Sequence, residues 1–251
     1  MTCETRISPF ALLLTAHGER RANADNHGVA RLAGRLAAAA VSAEVGFGFI
    51  KGAPSIDEAI RALASCHIVV YPLFLADGYF TRVVLLRLVQ QAVHQDARTI
   101  SILPPLGLEP ALADLIADEA AAAARSRALS PSETTVVLLA HGSTNDEASR
   151  IAAERLADRV QLRRDFRNTQ TVLLEEGPSL AEAIAGTRGP IIVVGLFASE
   201  GMHGSDDAKR LVAELGRDDI FLVGPVGMFA GVEAIVAAAV TKSCQLQRPQ
   251  P

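Results

Sequence analysis

The sequence predicts an α/β protein of two similar doubly wound domains, each built on a mainly parallel four-stranded sheet, with the active cleft between them. Short β-rich apolar runs alternate with helix-patterned segments along the chain, the order that yields parallel strands joined by helical crossovers. The runs are apolar on both faces, so each sheet is expected to be covered on two sides. The halves also repeat each other: Ala16-His17-Gly18 aligns with Ala140-His141-Gly142, and Pro54-Ser55 with Pro178-Ser179, at a constant offset of 124 residues.

The first strand is expected at Phe10 to Thr15, followed by an Ala- and Leu-rich helix from Val29 to Ala40 with capping residue types upstream at Asn23, Asp25 and Asn26. A second strand is expected at Glu44 to Phe49, and Ser55, close before Asp57 and Glu58, opens the next helix. Strands three and four are expected at Ile68 to Phe74 and Thr99 to Leu103. The second half repeats the order, with strands at Val136 to Ala140, Thr171 to Leu174, Ile191 to Phe197 and Ile220 to Val223. Further echoes include Glu-Ala-Ile at 58–60 and 182–184, Leu73-Phe74 and Leu196-Phe197, Gly78 and Gly201, and Pro105 and Gly107 answered by Pro225 and Gly227. This period is far longer than a solenoid repeat, so each copy is expected to be a domain, residues 1–127 and 128–251, joined near Ser126 to Thr135. A chain of 251 residues is long enough for two cores.

Composition narrows the function. Hydrophobic residues make up 49% and charged residues 21%, which fits a compact soluble protein. The net charge of -4 supplies no field for nucleic acid or an acidic membrane surface, so an anionic ligand must be held locally. Cys3, Cys66 and Cys244 are odd in number and form no close pair, pointing to a reducing compartment. The run Phe10 to Thr15 is too short for a membrane span or a secretory signal. A cytoplasmic location is expected.

In doubly wound sheets, ligands sit beyond the carboxyl ends of the strands. In the second half His141 follows the first strand, Glu175 the second, and His203 lies past the third. Two imidazoles and a carboxylate suit first-row divalent metals and leave coordination positions open. The first half is an internal control, with His17, Lys51 and Phe80 at the aligned positions. An ammonium at roughly 5 Å from a dication costs about 6 to 7 kcal/mol at an effective dielectric near 20, so Lys51 excludes a matching metal site. Glu176 is an alternative to Glu175, and His17 reads equally as a relic, a cleft-lining residue or a hydrogen-bonded strand end.

The pieces Leu-Ala-His-Gly-Ser (139–143), Leu-Leu-Glu-Glu-Gly-Pro-Ser-Leu (173–180) and Gly-Leu-Phe-Ala-Ser-Glu-Gly-Met-His (195–203), in this order and spacing, resemble the class II chelatases that act on sirohydrochlorin in siroheme and cobalamin biosynthesis. The resemblance covers nearly the whole chain and implies insertion of Fe(II) or Co(II) into a metal-free tetrapyrrole, with no nucleotide and no cofactor beyond the substrate metal. It implies that His141, Glu175 and His203 hold the metal or carry away pyrrole protons. Ser143 and Met202, inside the matching pieces, are candidate macrocycle contacts, as are Tyr79 and Phe80; Arg20 and Arg21 are candidates to meet its carboxylates. Some two-repeat relatives keep their histidine pair in the first half, where this chain has Phe80, so the N-terminal half is expected to support substrate. Residues 245–251 contain no histidine, unlike the His-rich tails of some cobalt-specific relatives, which favours iron. A monomer or weak homodimer is expected. The rival readings are a non-enzymatic metal or tetrapyrrole binder and a histidine-phosphatase-like enzyme. Against the latter, Ala16 and Ala140 stand where phosphate chemistry wants an arginine.

Overall fold

A computed structural model describes residues 10–19, 27–93, 98–143, 146–199 and 202–246, with the backbone alone described at 93, 202–205 and 246. The first half runs β1 (Ala11–Ala16), α1 (His27–Ala38), β2 (Glu44–Phe49), α2 (Ile56–Ala62), β3 (His67–Pro72), a π-helical turn (Phe80–Leu85) leading into α3 (Leu86–Val93), β4 (Thr99–Ile102) and α4 (Ala111–Arg125). The second half runs β5 (Thr135–Ala140), α5 (Ala148–Leu162), β6 (Asn168–Leu173), α6 (Leu180–Ile184), β7 (Ile191–Gly195), α7 (Met202–Glu214), β8 (Ile220–Val223) and α8 (Val232–Leu246). Every expected strand is present with its ends within three residues. Both sheets are wholly parallel, in the orders β2-β1-β3-β4 and β6-β5-β7-β8. Strand order therefore reverses beside β1 and beside β5, the switch points at which a doubly wound sheet opens a crevice.

Local chemistry explains the element boundaries. Ser55 and Ser179 each accept the backbone N–H of the glutamate three residues on, and Glu58 and Glu182 reach back to the serine N–H, giving identical capping boxes at the starts of α2 and α6. Helix α1 stops two residues short of the expected Ala40 because Ala40 turns into the left-handed region (φ 51°). The Ala40 N–H then bonds the carbonyl of Ala37, and the Val41 N–H that of Leu36, a Schellman closure. Asn23, Asp25 and Asn26 lie outside the described residues.

The central strands β1, β5 and β7 are buried along their whole length, whereas the edge strands are only partly covered. One face of the first sheet, through Ala11, Leu13, Ile68 and Val70, packs on α2 and α3 by way of Ile56, Ile60 and Val89. The equivalent face of the second sheet, through Val137, Leu139, Ile191 and Val193, packs on α6 and α7. The two remaining faces share one core, in which Leu12 and Leu14 join Val136 and Leu138 through α1, α4, α5 and α8. Within this middle layer the last helix of each half is exchanged: α4 lies on β7, β8 and α5, while α8 lies on β3 and α1. Among the described residues no helix is long and apolar enough to cross a membrane.

Candidate functional site

The site is built twice from one backbone plan. After β5 the chain leaves through His141 and Gly142, and the Glu175 N–H donates to the His141 carbonyl at 3.0 Å. After β1 it leaves through His17 and Gly18, and the Lys51 N–H donates to the His17 carbonyl at 2.7 Å. Both glycines have positive φ, 68° and 77°, and a Cβ on Gly18 would overlap the Lys51 carbonyl. Glycine is required because a left-handed turn brings two strand ends into backbone contact. Lys51 and Glu175 thus occupy the same place on opposite walls.

On the C-terminal wall the His141 Nδ1 lies 3.5 Å from Glu175 Oε1, with the two side chains 49% and 50% exposed. They are adjacent, oriented together and open to a ligand. Glu176 is used differently: its Oε1 accepts the Ser143 N–H at 3.0 Å, and its Oε2 lies 3.5 Å from Arg150 Nε. Arg150 in turn donates to Glu147 at 2.6 Å. Of the two neighbouring carboxylates, Glu176 ties down the loop after β5 and leaves Glu175 to face the cleft. Ser143 contributes its main chain to this tie.

On the N-terminal wall the His17 Nδ1 sits 3.0 Å from the Gly18 carbonyl oxygen. A carbonyl only accepts, so Nδ1 carries the proton and Nε2 is the nitrogen left for a ligand. The ring meets Phe80 edge-on, with centroids 4.8 Å apart. Burial lowers the His17 pKa below the ordinary histidine value, and repulsion from Lys51 and His141 adds to this. His17 and His141, the two strand-end histidines, lie near enough for their charges to interact. Tyr79 and Phe80 are 55% and 39% exposed and form an edge-to-face ring pair with centroids 5.7 Å apart.

The walls are stitched by Asp146, which sequence reasoning missed. Its Oδ2 accepts the Tyr79 N–H at 2.8 Å, and its Oδ1 the Ala148 N–H at 2.9 Å. These backbone hydrogen bonds hold the carboxyl below its usual pKa. Gly78 lets the segments approach, since a Cβ there would come 2.7 Å from Asp146 Oδ2. Only the cap-type residue just before α5 signals it in sequence.

His203 is the second residue of α7 and Met202 the first; the side chains of both lie outside the described ones, as do Arg20 and Arg21 entirely. Among the described residues no three His, Cys, Asp or Glu side chains gather as a metal-holding group. His141 and Glu175 are the two that come together.

Comparison with known proteins accounts for the doubled architecture. The CbiX family profile matches residues 11–123 and again 135–243. A curated protein of Halobacterium salinarum named probable sirohydrochlorin cobaltochelatase is 25% identical over 218 residues, 78% of this chain and 74% of its own length. The solved structure of CbiX, described as the terminal enzyme for biosynthesis of siroheme in denitrifying bacteria, is 27% identical with a TM-score of 0.77, covering 93% of this chain and 99% of that one. A multi-domain Deinococcus radiodurans protein, described as structurally similar to chelatases, shares the fold at 23% identity and a TM-score of 0.78. That match covers 93% of this chain, which spans about half, 55%, of the Deinococcus protein. Since the family profile fits both repeats and nearly the whole length, the chain belongs to the CbiX family.

Proposed function

We propose that this protein inserts a divalent metal, Fe(II) or Co(II), into sirohydrochlorin, and that His141, Glu175 and His203 handle the metal on the C-terminal wall of the cleft. The observation that carries this reading is the 3.5 Å pairing of His141 with Glu175 at half-exposed strand ends, set inside a two-repeat CbiX-family fold. An imidazole and a carboxylate bind first-row divalent ions without saturating them, as an ion awaiting transfer to ring nitrogens requires. The internal repeat supports the third ligand: Phe80 stands at the position matching His203, and its ring lies against His17, the counterpart of His141.

Insertion exchanges two pyrrole protons for one dication, so the site must bind the metal weakly enough to release it and must accept protons. Imidazoles titrate in the right range, and Glu175 balances charge as the metal approaches. Burial, with Lys51 nearby, shifts the His17 ring toward its neutral form, which lessens repulsion of the incoming ion through that ring. We assign Tyr79 and Phe80 to the face of the macrocycle, and Arg20, Arg21, Ser143 and Met202 to its periphery, with the single chain working as a monomer or weak homodimer.

The test is an anaerobic assay with metal-free sirohydrochlorin and Fe(II) or Co(II), followed by its visible spectrum. Repeated turnover supports the proposal, with the two rates ranking the metals; conversion that stops at one equivalent of protein identifies a binder and rejects catalysis.

A further inference from the structure

Lys51 carries a positive charge where the second half carries the negative charge of Glu175. Its N–H bonds the His17 carbonyl as that of Glu175 bonds the His141 carbonyl, so the two side chains stand at equivalent positions on facing walls, one cationic and one anionic. Lys51 is exposed. Among the described residues it has neither an ion pair nor a side-chain hydrogen bond. His17 links the Lys51 backbone to the ring of Phe80, and an ammonium on the same wall as the exposed rings of Tyr79 and Phe80 matches a ligand with a flat apolar face and acidic arms. On the opposite wall the half-exposed carboxylate of Glu175 repels the same arms.

We propose that Lys51 is the carboxylate-docking residue of the cleft, holding an acidic arm of the macrocycle on the N-terminal wall so that the ring enters in one orientation relative to the His141–Glu175 wall. This deepens the proposed function and rests on that reading for the identity of the macrocycle. Lys51 is thereby a positioning and specificity residue with no part in proton or metal transfer. The same charge that disqualifies this position as a metal ligand suits it to an anion.

The experiment compares wild type, Lys51→Met and Lys51→Arg in anaerobic binding of metal-free sirohydrochlorin, of its fully methyl-esterified form, and of Co(II) alone. Lys51→Met is expected to weaken binding of the acid about tenfold, the loss of one charge-assisted hydrogen bond in a half-open cleft, while Lys51→Arg restores it. The ester is expected to bind all three proteins alike, and Co(II) affinity to stay unchanged. In turnover the Met variant should raise KM and spare kcat. Equal binding of the acid by wild type and Lys51→Met overturns the inference, and so does an equal loss for acid and ester. A wild type that binds the acid through Lys51 yet never turns over rejects the chelatase reading alone; turnover with no effect of Lys51 on the acid rejects only this inference.

Discussion

Glu175 and Glu176 are chemically identical neighbours that the fold sends to different work, and substitutions should separate them. Glu175→Gln removes the charge beside His141 and is expected to weaken Co(II) binding by about tenfold or more, with little change in melting temperature because the side chain is half exposed. Glu176→Gln should do the reverse. It leaves the Ser143 N–H and Arg150 with a weaker acceptor, at a cost of about 1 kcal/mol, and metal titration with thermal melting of both variants checks the contrast. His203→Ala is expected to abolish metal insertion with the fold intact, whereas Phe80→Ala keeps substantial activity; equal losses in the anaerobic assay would refute the assignment of the metal to the C-terminal wall. His17 gives a pH prediction. Its pKa in the folded protein lies below the ordinary 6.5, so the unfolded chain takes up the proton first as pH falls, and stability declines from about pH 6.5 downward. In urea titrations across pH 5 to 8, His17→Gln should flatten that acid-side decline. His141 and Glu175 were legible in sequence because a strand end fixes where a loop residue emerges. The choice between Glu175 and Glu176 was not legible, because it depends on Ser143 and Arg150, partners 33 and 26 residues away in the chain. Asp146 was hidden for the same reason, since its ligand Tyr79 lies in the other half.

Helices and strands were far more readable than side-chain partnerships, because the signals that set them are local. The capping boxes at Ser55 and Ser179 and the apolar runs of β1 and β5 are contained within a few residues. The one shifted helix end, at Ala40, is a left-handed alanine, a choice that the Ala run at 37–40 does not reveal. The repeated Pro-x-Gly after the fourth strand of each half has a tertiary cause. A Cβ on Gly107 would overlap the Leu75 carbonyl, and one on Gly227 the Ala198 carbonyl, while each glycine N–H bonds the carbonyl one residue earlier, of Phe74 or Phe197. These contacts brace the segments that follow β3 and β7. Gly107→Ala and Gly227→Ala are therefore expected to destabilise by about 2 to 4 kcal/mol, since backbone carbonyls cannot move aside as a side chain would. Gly34→Ala, at an exposed position of α1 with nothing within 4 Å of the new methyl, should instead stabilise by about 0.5 to 1 kcal/mol through helix propensity. Urea midpoints of the three variants decide this, and a neutral Gly107→Ala would show that the crossing is slack.

The duplication is legible as two domains, but the folded protein joins them more tightly than a tandem pair. Helices α4 and α8 each cover a sheet in the other half, and Leu12, Leu14, Val136 and Leu138 share one core with all four middle helices. No local pattern encodes this exchange, because an amphipathic helix states which face it buries and not against which of two similar sheets. The ion pair of Arg35 with Glu233 joins α1 to α8. Arg163, at the end of α5, reaches Asp118 at 2.8 Å and Asp114 at 3.5 Å on α4, though exposed pairs of this kind add little beside the apolar faces. The consequence for function is that the two cleft walls are held by the same layer, so His17 and His141 are placed relative to each other within one chain. The consequence for folding follows from the same contacts. Residues 1–127 expressed alone leave β3 bare of α8 and expose the apolar face of α4, while residues 128–251 leave β7 bare of α4; neither fragment can bury what its sheet requires. The intact chain is expected to unfold in one cooperative transition, with fluorescence and circular dichroism midpoints coinciding. Each fragment should be unfolded or aggregated by itself, and the co-expressed pair should reassemble. Two separated transitions in the intact chain, or a fragment that melts cooperatively by itself, would show that each half completes its own core and that the exchanged helices are only a surface contact.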